Sequence, residues 1–229
     1  MAGRVSVVVP AYNAGAFLAA ALDSVFAQDL PVHEVIVVND GSTDDTAEVI
    51  ARYRREIRVL SQANRGAARA RNAGLARSTG DLVAFLDADD LWPENSLSSR
   101  AAVLAAHPGV GFVFGGVEQF LSPELLAAGG PRPACPAGVR PAPFAGACLI
   151  RRDVFRAVGV FRDDLAIGET IDWIGRVRDA GIEERHIDTL VMWRRIHADN
   201  TTRRLALRRN DYLHVLKAGL NRRRQAIAE

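Results

Sequence analysis

The sequence predicts an α/β protein with a mostly parallel, Rossmann-like sheet flanked by helices. Short β-branched runs such as 4–10 and 34–38 are typical of buried parallel strands. Segments with apolar residues at helical spacing, beginning with 14–28, lie between these runs. Polar residues follow the strands directly, at the edge where open parallel sheets bind ligands. Strands alternating with helices imply a parallel sheet with right-handed crossovers.

The other elements are predicted from the same patterns. The predicted strands span 4–10, 34–38, 57–60, 81–87, 110–117, 144–150, 185–188 and 191–196, and the predicted helices span 14–28, 43–55, 65–77, 94–107, a stretch from 152, 168–180 and 202–228. The Pro-, Gly- and Ala-rich stretch 120–143 is predicted to be a long loop, either a disordered insertion or a lid beside an acceptor. We expect one domain over 1–201, followed by an Arg-rich helical extension over 202–229.

Composition and charge limit the class of protein. A net charge of +2 indicates no nucleic-acid partner. Two cysteines, Cys135 and Cys148, are too few for a disulfide framework and indicate a reducing compartment. No signal peptide or membrane-spanning segment is visible, so we expect a cytoplasmic protein. Basic residues crowd the last segment and leave a peripheral contact with the inner face of the membrane open: Arg203, Arg204, Arg208, Arg209, Lys217, Arg222, Arg223 and Arg224.

The apolar run Val83–Leu86 ends in three acids, Asp87, Asp89 and Asp90. Asp87 and Asp89 share a face of the strand, with roughly 6–7 Å between their Cα atoms. Two such carboxylates repel one another unless a cation or a donor-rich ligand lies between them, and their oxygens suit Mg²⁺ or Mn²⁺ holding a phosphate. The alternative is a solvated acidic turn that caps the next helix. Two other strand ends carry polar residues, at 12–13 and 39–40, which favours the functional interpretation.

Five pieces of sequence stand out together: VSVVVPAYNAGAFL, VIVVNDGSTDDT, NRGAARARNAGLARSTGDLVAFLDADD, GETIDW and RRIHADNTT. In combination they resemble glycosyltransferase family 2, whose fold is GT-A. The resemblance is dense from residue 4 to about 118 and patchier to 201. It implies a nucleotide-binding half over 1–118, an acceptor half over 119–201, a sugar-nucleotide donor, and transfer to an acceptor nucleophile, usually with inversion.

The resemblance also implies roles for particular residues. Asp40 would accept from the base N–H, and Arg71 would face the base or the phosphates. Asp89, in the Asp-x-Asp motif, would ligate the metal with His197 as second ligand, while Asp87 would touch the ribose or a metal-bound water. Further donor-binding positions are Pro10, Ala11, Tyr12, Asn13, Asn64, Gly66 and Ala88, and positions on the sugar or acceptor side are Gly146, Trp173 and Asp90.

The nucleotide preference follows from carboxylate chemistry. Because a carboxylate accepts but does not donate hydrogen bonds, Asp40 suits the imide N–H of uracil or thymine, or the N1–H of guanine. We therefore expect UDP first, with GDP or dTDP as alternatives. Simpler interpretations remain open: Asp40 capping the following helix, Arg71 solvated among neighbouring arginines, and His197 lying on the surface.

The general base is the point at which the sequence departs from the family pattern. The Glu-Asp pair common at the start of a late helix is here Glu169-Thr170. Glu169 and Asp172 lie three apart and are expected to share a face. Glu169 is the favoured base because Gly168 frees the preceding backbone, whereas Asp172 could serve equally or bind the acceptor. Alternatively, both acids only favour the helix dipole, or the acceptor is a thiolate that needs little base assistance.

The predicted activity is metal-assisted single displacement by an inverting, hexosyltransferase-type enzyme. The acceptor could be a small molecule, a glycan, a lipid-linked sugar or a peptide, and sugar choice is expected to depend on side chains around Gly146–Leu149. A nucleotidyltransferase is less consistent, because the segment AYNAGAF holds one glycine where such enzymes carry a Gly-rich phosphate loop. A non-catalytic sugar-nucleotide-binding protein stays open because of Thr170.

Overall fold

The structure is a computed structural model of the 229-residue chain, and it describes residues 3–127, 133–200, 211, 214, 215 and 217–222. The strands of this described part are β1 Val5–Ala11, β2 Glu34–Asn39, β3 Arg58–Ser61, β4 Leu82–Phe85, β5 Val110–Leu121, β6 Arg140–Pro141, β7 Cys148–Arg151 and β8 Glu183–Ile196. Its helices are α1 Gly15–Phe26, α2 Thr46–Arg52, α3 Ala67–Arg77, α4 Ser96–Ala106, α5 Pro123–Ala127, α6 Arg152–Val158 and α7 Glu169–Asp179.

The strands form one eight-stranded sheet that is parallel in its first half. The order is β3-β2-β1-β4-β7-β5-β6, with β8 paired to β5. β3, β2, β1 and β4 run parallel, whereas β7 runs antiparallel to both β4 and β5. The carboxyl ends of β1, β2 and β4 therefore meet at one edge, as the alternating pattern predicts. The predicted α/β fold is confirmed.

Each face of the sheet buries its own apolar core. Val7 and Val9 of β1 pack with residues of α1, α2 and α4, whereas Val8 packs on the opposite face with residues of α3, α6 and α7. Alternate residues of a strand point to opposite faces, so a strand covered on both sides must be apolar throughout. All seven residues of β1 are accordingly buried.

Several predicted boundaries were wrong, because long-range pairing decides them. The predicted strand 144–150 begins as a 3₁₀ turn over Ala145–Ala147, and only then becomes β7. The two predicted strands 185–188 and 191–196 are one strand, β8, whose pairing with β5 is interrupted by irregularities. The predicted loop 120–143 contains the end of β5, helix α5 and strand β6, and its residues 128–132 lie outside the described part of the chain.

The described residues of the predicted terminal extension are helical at 211, 214, 215 and 217–222. The rest of 202–229, including six of its eight basic residues, lies outside the described residues. Within the described part of the chain, no helix combines the length and the apolar character that crossing a membrane requires.

Glu34 ties together four segments at the amino-terminal edge of the sheet. Its carboxylate accepts from the Ser6 hydroxyl at 2.8 Å, from the Thr79 N–H at 2.6 Å and from Arg58 at 2.7 Å. Burial alone raises the pKa of Glu34, but these hydrogen bonds outweigh it and lower the pKa to about 2.

We expect Glu34→Gln to lower the free energy of unfolding by about 1–2 kcal/mol near neutral pH, since the variant loses the charged partner of Arg58. The unfolded chain takes up a proton near its ordinary pKa of 4.5, whereas the folded chain resists protonation down to about 2. Stability from this group is therefore present above the ordinary pKa and is lost as pH falls through the folded pKa.

Urea titrations from acidic to neutral pH would measure this difference, with Glu48→Gln at an exposed position of α2 as the matched control. A difference between Glu34→Gln and the parent that does not shrink on acidification would contradict the assignment.

Candidate active site

The acidic turn after β4 divides into exposed and buried carboxylates. The side chains of Asp87 and Asp89 are 38% and 28% exposed. Asp90 is buried and accepts from the backbone N–H of Arg195 on β8 at 2.8 Å. Burial, together with the charges of Asp89 and Asp87, raises the pKa of Asp90 well above its ordinary value. Asp90 thus joins the turn to β8, a placement that does not favour its predicted contact with sugar or acceptor.

Asp89 and His197 come together although they are 108 residues apart in sequence. The His197 Nε2 atom lies 2.9 Å from Asp89 Oδ2, and Asn200 donates to the same oxygen at 3.2 Å. Asn200 also accepts from the His197 N–H at 2.7 Å and donates to the Arg195 carbonyl at 3.1 Å. Asn200 therefore holds both members of the predicted metal pair.

Aromatic contacts hold the His197 segment against the acidic turn. The ring of Phe17 in α1 lies 4.6 Å from the ring of His197. The Arg195 guanidinium lies over two rings, 5.0 Å from Phe17 and 4.7 Å from Phe120, and its Nε donates to the Asp89 carbonyl at 2.9 Å. Sequence reasoning assigned no role to these residues or to Asn200, although the segment RRIHADNTT stood out as a whole.

Arg71 bridges the two halves of the site. Its Nη2 lies 2.6 Å from Asp87 Oδ1, and its Nη1 lies 2.6 Å from Glu169 Oε1. The Arg71 side chain is only 6% exposed, and its Nε has no hydrogen-bond partner among the described residues. Burial lowers the pKa of Arg71, but the charges of Asp87 and Glu169 outweigh it and raise the pKa. Arg71 is thus not a solvated arginine in this structure.

The structure separates the two acids that the helix spacing predicted to share a face. Asp172 has no exposed side-chain surface and binds Arg176 Nε at 2.9 Å through Oδ2. Its Oδ1 lies 3.5 Å from Arg222 and 3.9 Å from Arg162. Glu169 thus contacts Arg71, whereas Asp172 lies inside a cluster of arginines, and this arrangement does not favour the expectation that Asp172 could serve as the base equally well.

Trp173 and Gly146 lie within the packed interior. Trp173 is 1% exposed and packs against the rings of Phe112, Phe155 and Phe161, while its Nε1 donates to the Gly159 carbonyl. The predicted contact of Trp173 with sugar or acceptor is therefore not available in this arrangement. The buried Gly146 carbonyl accepts from Trp92 Nε1 at 2.7 Å. Gly146 packs beside the end of β4, since an added Cβ would lie 3.7 Å from the Phe85 carbonyl oxygen.

Asp40 organises the loop ahead of α3. Its Oδ1 accepts from Gln62 Nε2 at 2.7 Å and from the Arg65 N–H at 3.0 Å, and its Oδ2 accepts from the Gly66 N–H at 2.8 Å. The Asp40 carboxylate therefore binds the loop ahead of α3, and the simpler interpretation that it caps the following helix is wrong. The predicted contact of Asp40 with a base N–H stays a prediction, and it requires the carboxylate to use its remaining lone pairs.

The other predicted donor-binding residues surround this loop. Pro10 and Ala11 end the buried strand β1, and Tyr12 beyond them is 45% exposed. Asn13 has a φ of 47° and accepts from the Thr43 N–H at 2.8 Å, which joins the β1 and β2 ends. Asn64 and Gly66 are exposed, whereas Ala88 is buried between the two exposed acids.

The side chains of Asp89 and His197 suit a divalent ion that completes its coordination with phosphate and water. Among the described residues, no group of three or more His, Cys, Asp or Glu side chains is arranged to hold a metal. Mg²⁺ is nevertheless usually held through one or two carboxylates plus substrate phosphates, and Mn²⁺ accepts imidazole as well as carboxylate. Asp89 with His197, beside the partly exposed Asp87, fits this requirement.

Comparison with known proteins fits this geometry. The family model described as Glycosyl transferase family 2 matches residues 6–128, which is more than half of the chain. The chain belongs to glycosyltransferase family 2. An uncharacterized glycosyltransferase of Nostoc sp. is 39% identical over 112 residues, covering 47% of this chain and 35% of that protein. The chain thus spans about a third of the length of this relative.

Solved structures share the fold of this family 2 chain. TarS 1–349 of S. aureus superposes with a TM-score of 0.73 at 19% identity, over 96% of this chain and 65% of TarS 1–349. The mannosyltransferase PcManGT of Pyrobaculum calidifontis, in complex with GDP-Man and Mn²⁺, superposes with a TM-score of 0.70 at 22% identity, over 96% of this chain and 65% of PcManGT. TarS 1–349 has also been solved in complex with UDP. The predicted GT-A fold is confirmed.

We expect Gly41→Ala to destabilise the protein by about 2 kcal/mol or more, because the residue after Asp40 has a φ of +74° and an added Cβ would lie 2.7 Å from the Asn64 backbone nitrogen. Gly138→Ala is the matched control, since Gly138 has a φ of +87° with nothing within 4 Å of an added Cβ. Denaturant titrations of both variants isolate the effect of the close approach. Equal losses of stability would contradict a packing requirement at Gly41.

Proposed function

We propose that this family 2 chain transfers a sugar from a nucleoside-diphosphate sugar to an acceptor nucleophile, with inversion. The observation that carries the proposal is the approach of His197 to Asp89, at 2.9 Å, beside the partly exposed Asp87. This pair lies beyond the carboxyl end of a parallel strand, which is where open parallel sheets bind ligands. An ion pair with a purely structural role would not have to lie there. TarS 1–349 in complex with UDP, and PcManGT with GDP-Man and Mn²⁺, support a nucleotide-sugar donor.

We assign the donor to the edge formed by β1, β2 and β4. Tyr12 is free to contact a base, and Asp40 closes the loop that would surround it. UDP is the favoured nucleotide, with GDP and dTDP as the alternatives that a carboxylate acceptor also suits. Asp89 and His197 would hold Mg²⁺ or Mn²⁺, with Asp87 contacting the ribose or a metal-bound water.

Departure of the diphosphate and activation of the acceptor require different groups. A bound divalent ion supplies Lewis acidity that stabilises negative charge on the leaving diphosphate. Glu169 is the base that removes the acceptor proton, since it is the acid of α7 that Arg71 holds near Asp87. Asp172 has no exposed oxygen with which to reach an acceptor.

The charge of Arg71 fits this division of roles. Its guanidinium binds one oxygen of Glu169, Oε1, at 2.6 Å, and so fixes the direction of that carboxylate. The other oxygen is left to receive a proton. Because the same guanidinium binds Asp87, one planar group contacts both the proposed base and the acidic turn.

We expect His197→Ala to weaken Mn²⁺-dependent UDP binding about tenfold or more, because the variant loses one of the two protein ligands proposed for the ion. Calorimetric titration of UDP with and without Mn²⁺ measures the effect. His186→Ala, at an exposed position of β8, the strand that ends just before His197, is the matched control and should bind like the parent. Ion-independent UDP binding by the parent, equal to that of His197→Ala, would exclude this metal pair.

We expect Glu169→Gln to slow donor turnover about 100-fold or more while leaving UDP affinity within twofold, since glutamine still accepts from Arg71 but takes no proton. Hydrolysis of UDP-, GDP- and dTDP-sugars with Mn²⁺, followed by release of the nucleoside diphosphate, measures turnover. Asp172→Asn should lower the melting temperature while changing the turnover rate little, because its carboxylate is buried among arginines.

A near-normal rate for Glu169→Gln would remove Glu169 as the base. Two other classes of protein remain as outcomes of the same assay. Binding of sugar nucleotides without turnover would favour a non-catalytic sugar-nucleotide-binding protein, which Thr170 leaves open. Release of pyrophosphate instead of a nucleoside diphosphate would favour a nucleotidyltransferase.

A further inference from the structure

The terminal helix, whose described residues are 211, 214, 215 and 217–222, contacts the chain immediately ahead of Glu169. Asp211 Oδ2 accepts from the backbone N–H of Ala166 at 3.0 Å and from that of Ile167 at 3.3 Å. These residues precede Glu169 by three and two positions. The carboxylate of Asp211 therefore holds the backbone from which α7 begins.

The same terminal helix also contacts α7 further along. Arg222 Nε lies 2.7 Å from Asp179 Oδ2, and its Nη1 lies 3.5 Å from the buried Oδ1 of Asp172. Gly175 of α7 makes room for this guanidinium, since an added Cβ would lie 3.2 Å from Arg222 Nη2. The terminal helix thus contacts the chain just before α7 and α7 itself further along.

From these contacts we propose that the terminal helix positions Glu169 for catalysis, with Asp211 as the positioning residue. The inference rests on the proposed function, in which Glu169 is the base. In this proposal Asp211 acts through the backbone of 166–168 and so through the first turn of α7.

The start of α7 needs such a restraint. Gly168 precedes the helix with a φ of +84°, and no side chain of the described chain caps it. Glycine itself imposes little conformational preference, so the loop that ends there is held by its partners. A carboxylate near the amino terminus of a helix is also favoured by the helix dipole.

The position of Glu169 matters because its partner, Arg71, is buried and is also paired with Asp87. Arg71 is buried in α3 and meets Glu169 Oε1 at 2.6 Å, so a small displacement of α7 breaks this contact. A displacement of about 1 Å in a catalytic group can cost about 100-fold in rate. The contacts of Asp211 therefore bear on the position of Glu169 relative to Arg71.

Donor hydrolysis by the 229-residue chain tests this inference. We expect Asp211→Ala to lower kcat about tenfold, with KM for the donor and UDP affinity within twofold of the parent. Asp211→Asn keeps one acceptor oxygen and should fall between the two, which also provides a folded variant should Asp211→Ala misfold. Lys217→Ala, exposed on the same helix, is the matched control and should behave like the parent.

A double-mutant comparison separates positioning from general stability. If Asp211 acts through Glu169, adding Asp211→Ala to Glu169→Gln should change the remaining rate less than twofold. A lower melting temperature with unchanged kcat, or an equal loss of rate in the Glu169→Gln background, would overturn the inference.

The two proposals fail in distinguishable ways. A normal effect of Glu169→Gln with no kinetic effect of either Asp211 variant removes the positioning role and leaves the proposed function intact. A Glu169→Gln variant that turns over donor like the parent removes Glu169 as base, and the role of Asp211 with it.

Discussion

The buried guanidinium of Arg71 is the interaction on which the arrangement of this site depends. A charge with 6% side-chain exposure is costly unless carboxylates compensate it, and here two do so at 2.6 Å each. One carboxylate, Asp87, lies in the turn after β4; the other, Glu169, begins α7. Removing either would leave part of a buried charge unpaired. The physical demand of Arg71 for both partners is therefore what holds the acidic turn and the proposed base at one distance.

Burial sorts the acids of this region into two kinds. Asp87 and Asp89 keep exposed surface and lie where a ligand can reach them. Asp90 and Asp172 are buried and bind the chain itself, Asp90 through the backbone of β8 and Asp172 through arginines. A solvated carboxylate can change its partners at little cost, whereas a buried one is committed to those it has. This difference explains why we propose ligand contacts for Asp87 and Asp89 but structural contacts for Asp90 and Asp172.

The match to the family model and the chemistry proposed here cover different parts of the chain. The match ends at residue 128, yet Glu169 and His197 lie beyond it. His197 reaches Asp89 because β8 pairs with β5 and meets Leu91 through a bridge at Trp193. The proposed donor edge is thus built from the part of the chain that matches the family model, while the proposed base and the second proposed metal ligand are brought to it by the later strands and helices.

Local patterns were sufficient for the α/β class, the parallel first half of the sheet and the acidic turn, because periodicity and strand-end chemistry are properties of short segments. The motif resemblance led to Asp89 and His197, but not to Asn200 or Arg195, which act by contacts across the fold. Spacing alone placed Glu169 and Asp172 on one face. Only the tertiary structure gave them different partners, since Arg71 reaches Glu169 from α3, whereas Arg176 and Arg222 approach Asp172. Which partner a side chain meets depends on the packing of distant elements, and one-dimensional spacing does not contain that information.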